Sequence, residues 1–384
     1  MKLLHTGDLH LGRQFEGRSL EDDHAIVLEQ ILRALKEHAA DVLIVAGDIF
    51  DRTAPPESAV RQFNEFITRV TSETDAAIVL IAGNHDSGDR IGAMAMLSDR
   101  RRALVRGPLM AEENPLILED EHGPVAISAL PFAYEFAARE CFENPDIKAP
   151  EDVMRAQVAA ARPNVPDNAR WIVVAHAFVT GAATSDGERS LSRAVGGIET
   201  VPSDVFDGAH YVALGHLHRP QSIRSERIRY SGSPLAFGFD EEGNEKSMAL
   251  IDIGADGTVT TQLLPFEPLR GVRTLQGMLD DLIRDAKGNA SEDFVKIILT
   301  DAERRVEPMK RIREFYPNAC TLYYERDAMA PEMKAMATGN ARAARPEDVI
   351  SSFLEFTRSS PPTEAEAKII AAKLTKGAGE DAAA

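Results

Sequence analysis

Cysteine, tryptophan and long apolar runs are all scarce in this sequence. The 384 residues include two cysteines and one tryptophan, and Cys141 and Cys320 are too far apart for a CxxC redox or zinc motif. The longest apolar run, residues 76–82, is much shorter than the roughly 20 residues that span a bilayer. The N-terminus has neither the basic start nor the apolar stretch of a secretory signal. We therefore expect a cytoplasmic protein with ordinary buried thiols.

Positive charge is also in short supply. The chain carries 43 Lys and Arg residues against 61 Asp and Glu residues, a net charge of −18. This balance argues against a protein that holds nucleic acid by bulk charge alone. A phosphate ligand would need local positive charge, such as bound metal. With 44% hydrophobic and 27% charged residues, the composition is that of a globular protein, and the length predicts two or three domains.

Short apolar runs alternate with amphipathic stretches in the first part of the chain. We predict strands at the runs that begin at Lys2, Val42, Ala77, Val125, Trp171 and Tyr211. Such runs, rich in Val and Ile, are typical of strands buried on both faces. Helical spacing over residues 19–38, with Ser19 and Asp22 as a capping box, and over 57–70 predicts a doubly wound arrangement for the first 130 residues. Strands without helices over 222–266 predict antiparallel hairpins that close a second sheet.

The charge balance changes near residues 265–268, where we place a domain boundary. Residues 1–265 carry 25 basic against 41 acidic residues, whereas 266–326 carry 11 of each. The second segment predicts a small α+β domain with helices near 275–286 and 304–315 and strands at 294–299 and 320–324. Beyond it we predict, in order, a linker over 327–344, two amphipathic helices within 345–376, the second capped by Thr363 and Glu366, and a disordered tail over 377–384.

Five short motifs place His, Asp or Asn directly after predicted strands. They are Asp8-Leu9-His10, Gly47-Asp48-Ile49-Phe50-Asp51, Gly83-Asn84-His85-Asp86, Ala175-His176 and Gly215-His216-Leu217-His218. Each motif alone is more often a turn or a helix cap, but the carboxyl ends of strands in an α/β sheet line one crevice, so the five together predict a common site. Seven of these residues offer N or O ligands: Asp8, His10, Asp48, Asn84, His176, His216 and His218. A set of seven without sulfur fits two Mn-type ions better than one tetrahedral zinc. We expect structural roles for His5, His24, His38, His122 and His210.

The ordered motifs resemble those of the calcineurin-like metallophosphoesterase superfamily. Within it, the chain is similar to the SbcD family of bacterial nuclease subunits, through the runs 213–221 and 229–235 and the segment 184–189 ahead of Gly196-Gly197. The resemblance covers residues 1 to about 325. The fold that it implies is an α/β, two-sheet metallophosphoesterase sandwich flanked by helices. A small α+β capping domain for DNA and C-terminal helices complete it.

The resemblance also implies a site with two divalent metal ions, Mn²⁺ in our expectation. One ion would lie between Asp8, His10, Asp48 and His218, and the other between Asp48, Asn84, His176 and His216, so that Asp48 bridges both. Two such ions clamp a phosphodiester and activate water, and they provide the positive charge that the chain lacks. His85 would stabilise the developing charge or protonate the leaving oxygen. Asp51 or Asp86 would orient it.

The function implied by the resemblance is a two-metal DNA nuclease in DNA end processing and repair. It would act as a double-strand exonuclease and as a hairpin or single-strand endonuclease. The C-terminal helices would dock onto an SbcC-type, SMC-like ATPase, and the chain would form a homodimer within a heterotetramer. The dimer face would comprise Val60, Phe63, Ile67 and Val70 together with Ile91, Met94 and Leu97, with core packing as the alternative for these residues.

Three other functions remain open from the sequence. A small-molecule phosphodiesterase fits the motifs equally well but gives the last 120 residues no role. A phosphoprotein phosphatase shares the Asp51-Arg52 pair, but such an enzyme would have Gly and Glu where this chain has Thr53 and Asp86. A scaffold without metals is disfavoured, because no ligand of the set is missing.

Overall fold

The computed structural model describes residues 1–97, 102–185, 192–193, 197–198, 200–328, 350–351, 361–370 and 373. The chain divides into two compact units, Met1–Arg273 and Thr274–Ala384. Among the helices of the described ranges, none is long and apolar enough to cross a membrane.

The first unit is built on two six-stranded sheets. Its strands, in chain order, are β1 (Lys2–Thr6), β2 (Gln14–Phe15), β3 (Arg18–Ser19), β4 (Val42–Val45), β5 (Ala77–Ile81), β6 (Ala103–Arg106), β7 (Leu116–Asp120), β8 (Gly123–Leu130), β9 (Arg170–His176), β10 (Ser192–Arg193), β11 (Gly197–Ile198), β12 (Tyr211–Gly215), β13 (Gln221–Ile223), β14 (Ser225–Tyr230), β15 (Ser247–Ile253) and β16 (Val259–Pro265). The six predicted strands are confirmed. Four of them, β4, β5, β9 and β12, are buried along their whole length, as their apolar runs predict.

Helices flank these sheets. They are α1 (Glu21–His38), α2 (Glu57–Glu73), α3 (Gly88–Ala93), α4 (Glu135–Cys141) and α5 (Pro150–Ala161), with 3-10 turns at Met94–Leu97, Arg162–Asn164, Ser203–Phe206 and Phe239–Glu241. The predicted capping box of α1 is wrong: Leu20 is its N-cap residue and makes no side-chain cap. Ser19 pairs with Gln14 in the β2–β3 ribbon, and its Oγ accepts the backbone N–H of Glu21 at 3.2 Å. The helix start is stabilised by three acidic residues in its first turn.

The two large sheets differ in how they are completed. The first has the order β16-β15-β1-β4-β5-β6 and the second β13-β14-β12-β9-β8-β7. The strands β1, β4, β5 and β6 run parallel, and so do β8, β9, β12 and β14. The β15–β16 hairpin pairs antiparallel with β1 and so extends the first sheet, not the second as predicted. The doubly wound prediction likewise stops at β6, because β7 and β8 belong to the second sheet.

The main core lies between the two sheets. It joins Leu3, Ile44 and Val79 of the first sheet to Ile127 and Val174 of the second. A separate apolar cluster covers the other face of the second sheet, where Trp171 and Val173 share a core with Met154 and Ala161 of α5. This layering confirms the predicted two-sheet sandwich flanked by helices.

The predicted dimer face is wrong for three of its members. Phe63 and Val70 of α2 and Ile91 of α3 are fully buried in the first unit, whereas Val60 and Ile67 are half-buried. Residues that fill the core of one chain are not available to a partner, so core packing explains these three. The side chain of Leu97 lies outside the described residues.

One buried arginine connects both sheets with the N-terminus. Arg170 of β9 forms an ion pair with Asp120 of β7 and donates hydrogen bonds to the carbonyls of Gly123, at 2.8 Å, and Ile253, at 3.3 Å. The α-amino group of Met1 lies 3.1 Å from the same Asp120 carboxylate. The Arg170 guanidinium, as the main cause, holds the pKa of Asp120 well below its usual range.

Replacing Arg170 with methionine is expected to lower the free energy of unfolding by about 2–3 kcal/mol. Loss of one partner from a buried ion pair costs roughly 3–5 kcal/mol, and the partial exposure of Asp120 reduces that cost. The matched control is Arg155→Met, which breaks exposed ion pairs with Glu151 and Asp204 and should cost much less than the loss of the buried pair. Urea titration of both variants measures the difference, and equal midpoints would contradict a special role for Arg170.

The second unit has a three-stranded sheet with short helices. Its elements are β17 (Val272–Gly277), which starts at the unit boundary, α6 (Leu279–Ala286), β18 (Phe294–Leu299), α7 (Pro308–Arg313), β19 (Ala319–Tyr324) and α8 (Glu325–Ala328). The sheet order is β17-β18-β19. The predicted helix start at Leu275 is wrong, since that residue lies in β17. The helix begins at Leu279, whose backbone N–H donates to the buried Asp301 carboxylate at 2.8 Å.

The C-terminal predictions are described only in part. Residues 364–370 are helical, and the capping box is confirmed: Thr363 N–H donates to the Glu366 carboxylate at 2.7 Å. Residues 350–351 are helical too, while most of the first predicted C-terminal helix lies outside the described residues. The predicted linker begins inside α8, which ends at Ala328; its remaining residues and the tail over 377–384 also lie outside the described part of the chain.

Candidate metal centre

The predicted site residues come together at the carboxyl ends of parallel strands in both sheets. Asp8 and His10 follow β1, Asp48 and Asp51 follow β4, Asn84, His85 and Asp86 follow β5, His176 ends β9, and His216 and His218 follow β12. All are buried except Asn84 and Asp51, which are half-buried. The two sheets therefore present their strand ends to one crevice.

The backbone at these positions adopts conformations that side chains rarely favour. Asp8, His10 and Asp48 have φ angles of 50°, 46° and 47°, and His216 has a φ of 111°. Each such residue costs on the order of 1–3 kcal/mol, and such residues cluster at functional sites. Close packing adds to the constraint: a Cβ on Gly83 would lie 2.2 Å from Asp48 Oδ1. The backbone conformation and the close packing at these strand ends therefore fix the directions of the site side chains.

One donor set contains His176, Asn84 and His216. The ring nitrogen Nδ1 of His176 lies 2.9 Å from the carbonyl oxygen of Ala46, so Nδ1 carries the hydrogen and Nε2 has a free lone pair. That Nε2 lies 2.9 Å from Asn84 Oδ1, and His216 Nδ1 lies 3.0 Å from the same oxygen. Spacings of about 3 Å are those between neighbouring ligands of an octahedral ion with bonds near 2.1 Å.

A second donor set contains His10 and His218. Their Nε2 atoms are 3.2 Å apart. The Nδ1 atom of His218 faces the Glu241 carboxylate at 3.3 Å, which places the hydrogen on Nδ1 and the lone pair of Nε2 toward His10. Two nitrogens that point at each other in this way are satisfied by a cation between them or by an added proton.

Asp48 lies between the two donor sets. Its Oδ2 is 3.6 Å from His10 Nε2 and 3.6 Å from His176 Nε2, while Oδ1 accepts a hydrogen bond from the His85 backbone N–H at 2.8 Å. Asp8 completes the group: its carboxylate accepts from the His216 backbone N–H at 2.9 Å, and Asp8, Asp48 and His176 offer ligand atoms within 4.8 Å of one another. Asp48 Oδ2 is therefore equally close to a ring nitrogen of each donor set.

The electrostatics of the crevice favour bound cations. Burial lowers the pKa of His176 to about 4 and places those of His10 and His216 well below the usual value, so all three rings are neutral at pH 7. Burial, with the nearby Asp48 carboxylate, raises the pKa of Asp86 to about 7. Neutral imidazoles beside buried carboxylates supply lone pairs and negative charge but no positive charge. The donor set therefore fits two divalent metal ions.

His85 lies at the edge of these donor sets. Its Nδ1 is 2.7 Å from the backbone carbonyl oxygen of Asp51, and its ring packs edge-on against His10 with centroids 4.7 Å apart. The Asp51 carboxylate instead faces His10 Nδ1 at 3.6 Å and Arg13 at 3.4 Å. Asp86 accepts backbone N–H groups of Ile49, Phe50 and Gly83. Asp51 thus contacts His85 through its main chain, and Asp86 holds the loops together.

The structure adds two residues that sequence reasoning missed, Glu241 and Lys246. Both are buried. The Lys246 ammonium pairs with Glu241 and donates to the His218 carbonyl at 2.9 Å and to Ser233 Oγ at 3.0 Å. Burial raises the pKa of Glu241, but the His218 ring and Lys246 outweigh it and hold the pKa at about 2. The ionised carboxylate fixes which nitrogen of His218 carries the hydrogen.

Removing this carboxylate is expected to weaken metal binding without unfolding the protein. In the double variant Glu241→Leu/Lys246→Met an apolar pair replaces a buried ion pair, a change that is often neutral for stability. Affinity for Mn²⁺ should fall about 10–100-fold, the usual effect of losing an outer partner of a metal-binding histidine. Glu241→Gln keeps a hydrogen-bond acceptor for His218 and should lose less affinity for Mn²⁺. Calorimetric titration measures both, and unchanged affinity in the double variant would contradict the role.

Comparison with known proteins places this geometry in a family. Residues 1–220 match the family described as Calcineurin-like phosphoesterase, and residues 265–358 match SbcD_C, described as Type 5 capsule protein repressor C-terminal domain. The solved structure of Yfce, a phosphoesterase from E. coli, is similar at 16% identity with a TM-score of 0.27, over 70% of this chain and 100% of that one. The two matched domains are together consistent with the SbcD family. Since the first match covers more than half of the chain, the protein belongs to the calcineurin-like phosphoesterase family and is a metal-dependent phosphoesterase.

Proposed function

We propose that the protein is a two-metal DNA nuclease. The observation that carries this proposal is the position of Asp48 between two nitrogen-rich donor sets, in a chain that also matches the SbcD_C domain. The two matched domains support a nuclease role in general. We assign one ion to Asp8, His10, Asp48 and His218 and the other to Asp48, Asn84, His176 and His216, and we expect Mn²⁺ because the donors are N and O atoms without sulfur.

The residues around the donor sets have separable tasks. Two divalent cations held by these residues would offset the negative charge of a phosphodiester and would lower the pKa of water at the site. His85 Nδ1 donates to the Asp51 carbonyl, so a proton or hydrogen bond to a phosphate oxygen would come from Nε2 of the protonated ring. Glu241 and Lys246 orient His218. The chain thus positions the ligands and supplies the proton donor.

The test compares DNA with a small substrate under the same conditions. With Mn²⁺, the protein should degrade linear duplex from its ends and open hairpin DNA, and hydrolysis of a chromogenic phosphodiester should be much slower. Gel assays and absorbance measure the two activities. Rapid hydrolysis of the small diester with intact DNA would favour a small-molecule phosphodiesterase, and release of phosphate from phosphoprotein would favour a phosphatase.

We also propose a protein partner. A cytoplasmic SMC-like ATPase of the SbcC type would bind the C-terminal helices, and two copies of the present chain would form a homodimer within the heterotetramer. The SbcD_C match supports this arrangement. The helix capped by Thr363 is exposed over most of its described residues, and a single exposed helix is marginal without a surface to pack on.

Ending the chain at Asn340 should separate the partner from the chemistry. The truncated protein should keep the Mn²⁺-dependent nuclease activity of the isolated chain within about twofold, because all seven proposed ligands precede residue 220. Pull-down of the ATPase and any stimulation by ATP should be abolished, since short amphipathic helices dock through their apolar faces. If the truncated protein copurified normally with the ATPase, the contact would lie elsewhere, and residues 266–326 would be the first candidate.

A further inference from the structure

Three aromatic side chains form a ladder on the surface directly after β8. Phe132, Tyr134 and Phe136, the aromatic ladder, stand at alternate positions of the chain. The Phe132 and Tyr134 rings meet edge to face with centroids 5.0 Å apart, and the Tyr134 and Phe136 rings are stacked at 5.7 Å with planes only 11° apart. Tyr134 is 51% and Phe136 64% exposed. Large aromatics so open to water, and adjacent, are typical of binding surfaces.

The ladder starts at the metal centre. The Phe132 ring packs edge-on against His176, with centroids 6.3 Å apart, and its backbone N–H donates to the Ala82 carbonyl at 2.9 Å, two residues before Asn84. Phe132 and Tyr134 also line a cavity of about 570 Å³ that Asn84 and Gly83 share. A molecule in that cavity is therefore in reach of both the proposed ligands and the aromatic rings.

We propose that the aromatic ladder stacks the unpaired bases of a DNA strand that leads into the metal centre. This inference rests on the proposed nuclease function and names the form of the substrate. Bases stack on aromatic rings with little regard to sequence, because every base has a π-face. A base-paired duplex shows its phosphates and buries the faces of its bases, so an exposed row of rings is matched to single strands, frayed ends or hairpin loops.

The charged residues beside the aromatic ladder indicate that it contacts the bases of DNA and not the phosphate backbone. Glu135 and Glu140 flank it, and the nearby Arg139 guanidinium donates to the Ile147 carbonyl at 2.8 Å. Carboxylates do not attract phosphate, so a strand bound here would be held by its bases, while the metal ions hold the phosphate that reacts. Contacts of this kind release no counterions, and their contribution should not depend on salt.

The experiment compares the double variant Tyr134→Ala/Phe136→Ala with Tyr134→Phe/Phe136→Tyr, which keeps both rings. The substrates are duplexes with single-stranded tails, blunt duplexes and a chromogenic phosphodiester. Loss of the rings should raise KM for the tailed duplex roughly 5–150-fold, the range for one stacked base, equally at low and high salt. The ring-keeping variant should match the wild type. Metal content should not change in either variant, and any loss on the chromogenic diester should be much smaller than the loss on the tailed duplex. Ile117→Ala, at an exposed apolar position of β7, is the control for lost surface.

Several results would overturn the proposed role of the aromatic ladder. An unchanged KM for tailed DNA would do so, and so would an equal loss on the chromogenic diester, which would make the rings a support for the metal centre. Loss of ATPase binding with unchanged KM for DNA would show a protein-docking surface. A wild-type protein that hydrolyses the chromogenic diester but no DNA would refute both the nuclease proposal and the role of the aromatic ladder. Normal cleavage of tailed DNA by the double alanine variant would refute the role of the aromatic ladder alone.

Discussion

Replacing Asp48 with asparagine is expected to remove both metal ions and to slow phosphodiester hydrolysis by more than about 100-fold, the upper end of the effect of outer partners of a metal site. The reason is the position of its Oδ2, 3.6 Å from a ring nitrogen of each donor set. A carboxylate there attracts two cations at once, and an amide loses that charge against both. Elemental analysis by mass spectrometry should find the metal content well below two ions per chain.

The substitution separates charge from shape. Asparagine keeps an oxygen that accepts the His85 backbone N–H, now bound by Oδ1 at 2.8 Å, so the loop after β4 should retain its fold. Asp75→Asn, at an exposed aspartate just before β5, changes net charge equally and should leave metal content and rate unchanged. An Asp48→Asn protein that holds two ions and hydrolyses phosphodiesters normally would show that the ligand assignment is wrong.

Much of the fold was predictable because burial on both faces leaves a local signature. The strands β4, β5, β9 and β12 are buried at every position and are apolar apart from Arg170 and His176 at the ends of β9, since each strand lies inside a sheet that is covered on both sides. The sequence carries no such signature of which strand pairs with which. The β15–β16 hairpin has a buried strand and a half-exposed strand like many hairpins at a sheet edge, and only its pairing with β1 assigns it to the first sheet. The start of α6 likewise depends on Asp301, which is distant in sequence.

The candidate site was predictable to about the same extent as the fold. Its proposed ligands follow strands directly, so their motifs can be found in the sequence. Glu241 and Lys246 belong to a 3-10 turn and the loop after it, and no motif surrounds them. Their contacts with His218 arise from tertiary packing alone. The nearest sequence signal is the run 229–235, which contains Ser233, the hydroxyl that accepts a hydrogen bond from Lys246.

His85 presents a different choice, because it can be assigned to binding or to chemistry. His10, Asp51 and His85 offer ligand atoms within 4.8 Å of one another, so the geometry alone allows His85 to be a metal ligand. Its Nδ1 donates a hydrogen bond to the Asp51 carbonyl at 2.7 Å, which leaves Nε2 available for either role, as in His176. The remaining donor set is complete without it. We therefore assign His85 to the reacting phosphate.

His85→Gln should keep both metal ions and the affinity for DNA while the rate of hydrolysis falls roughly 100-fold or more, the typical contribution of a general acid or of a donor that stabilises developing charge. The amide of glutamine can still donate a hydrogen bond but cannot deliver a proton, so chemistry is lost and structure is kept. Single-turnover rates, elemental analysis and a DNA-binding titration measure the three quantities separately. His122→Gln, at the exposed turn between β7 and β8, is the matched control and should behave like the wild type. Loss of one ion from the His85→Gln protein would instead make His85 a ligand, because a residue that acts only on the phosphate has no reason to change metal content.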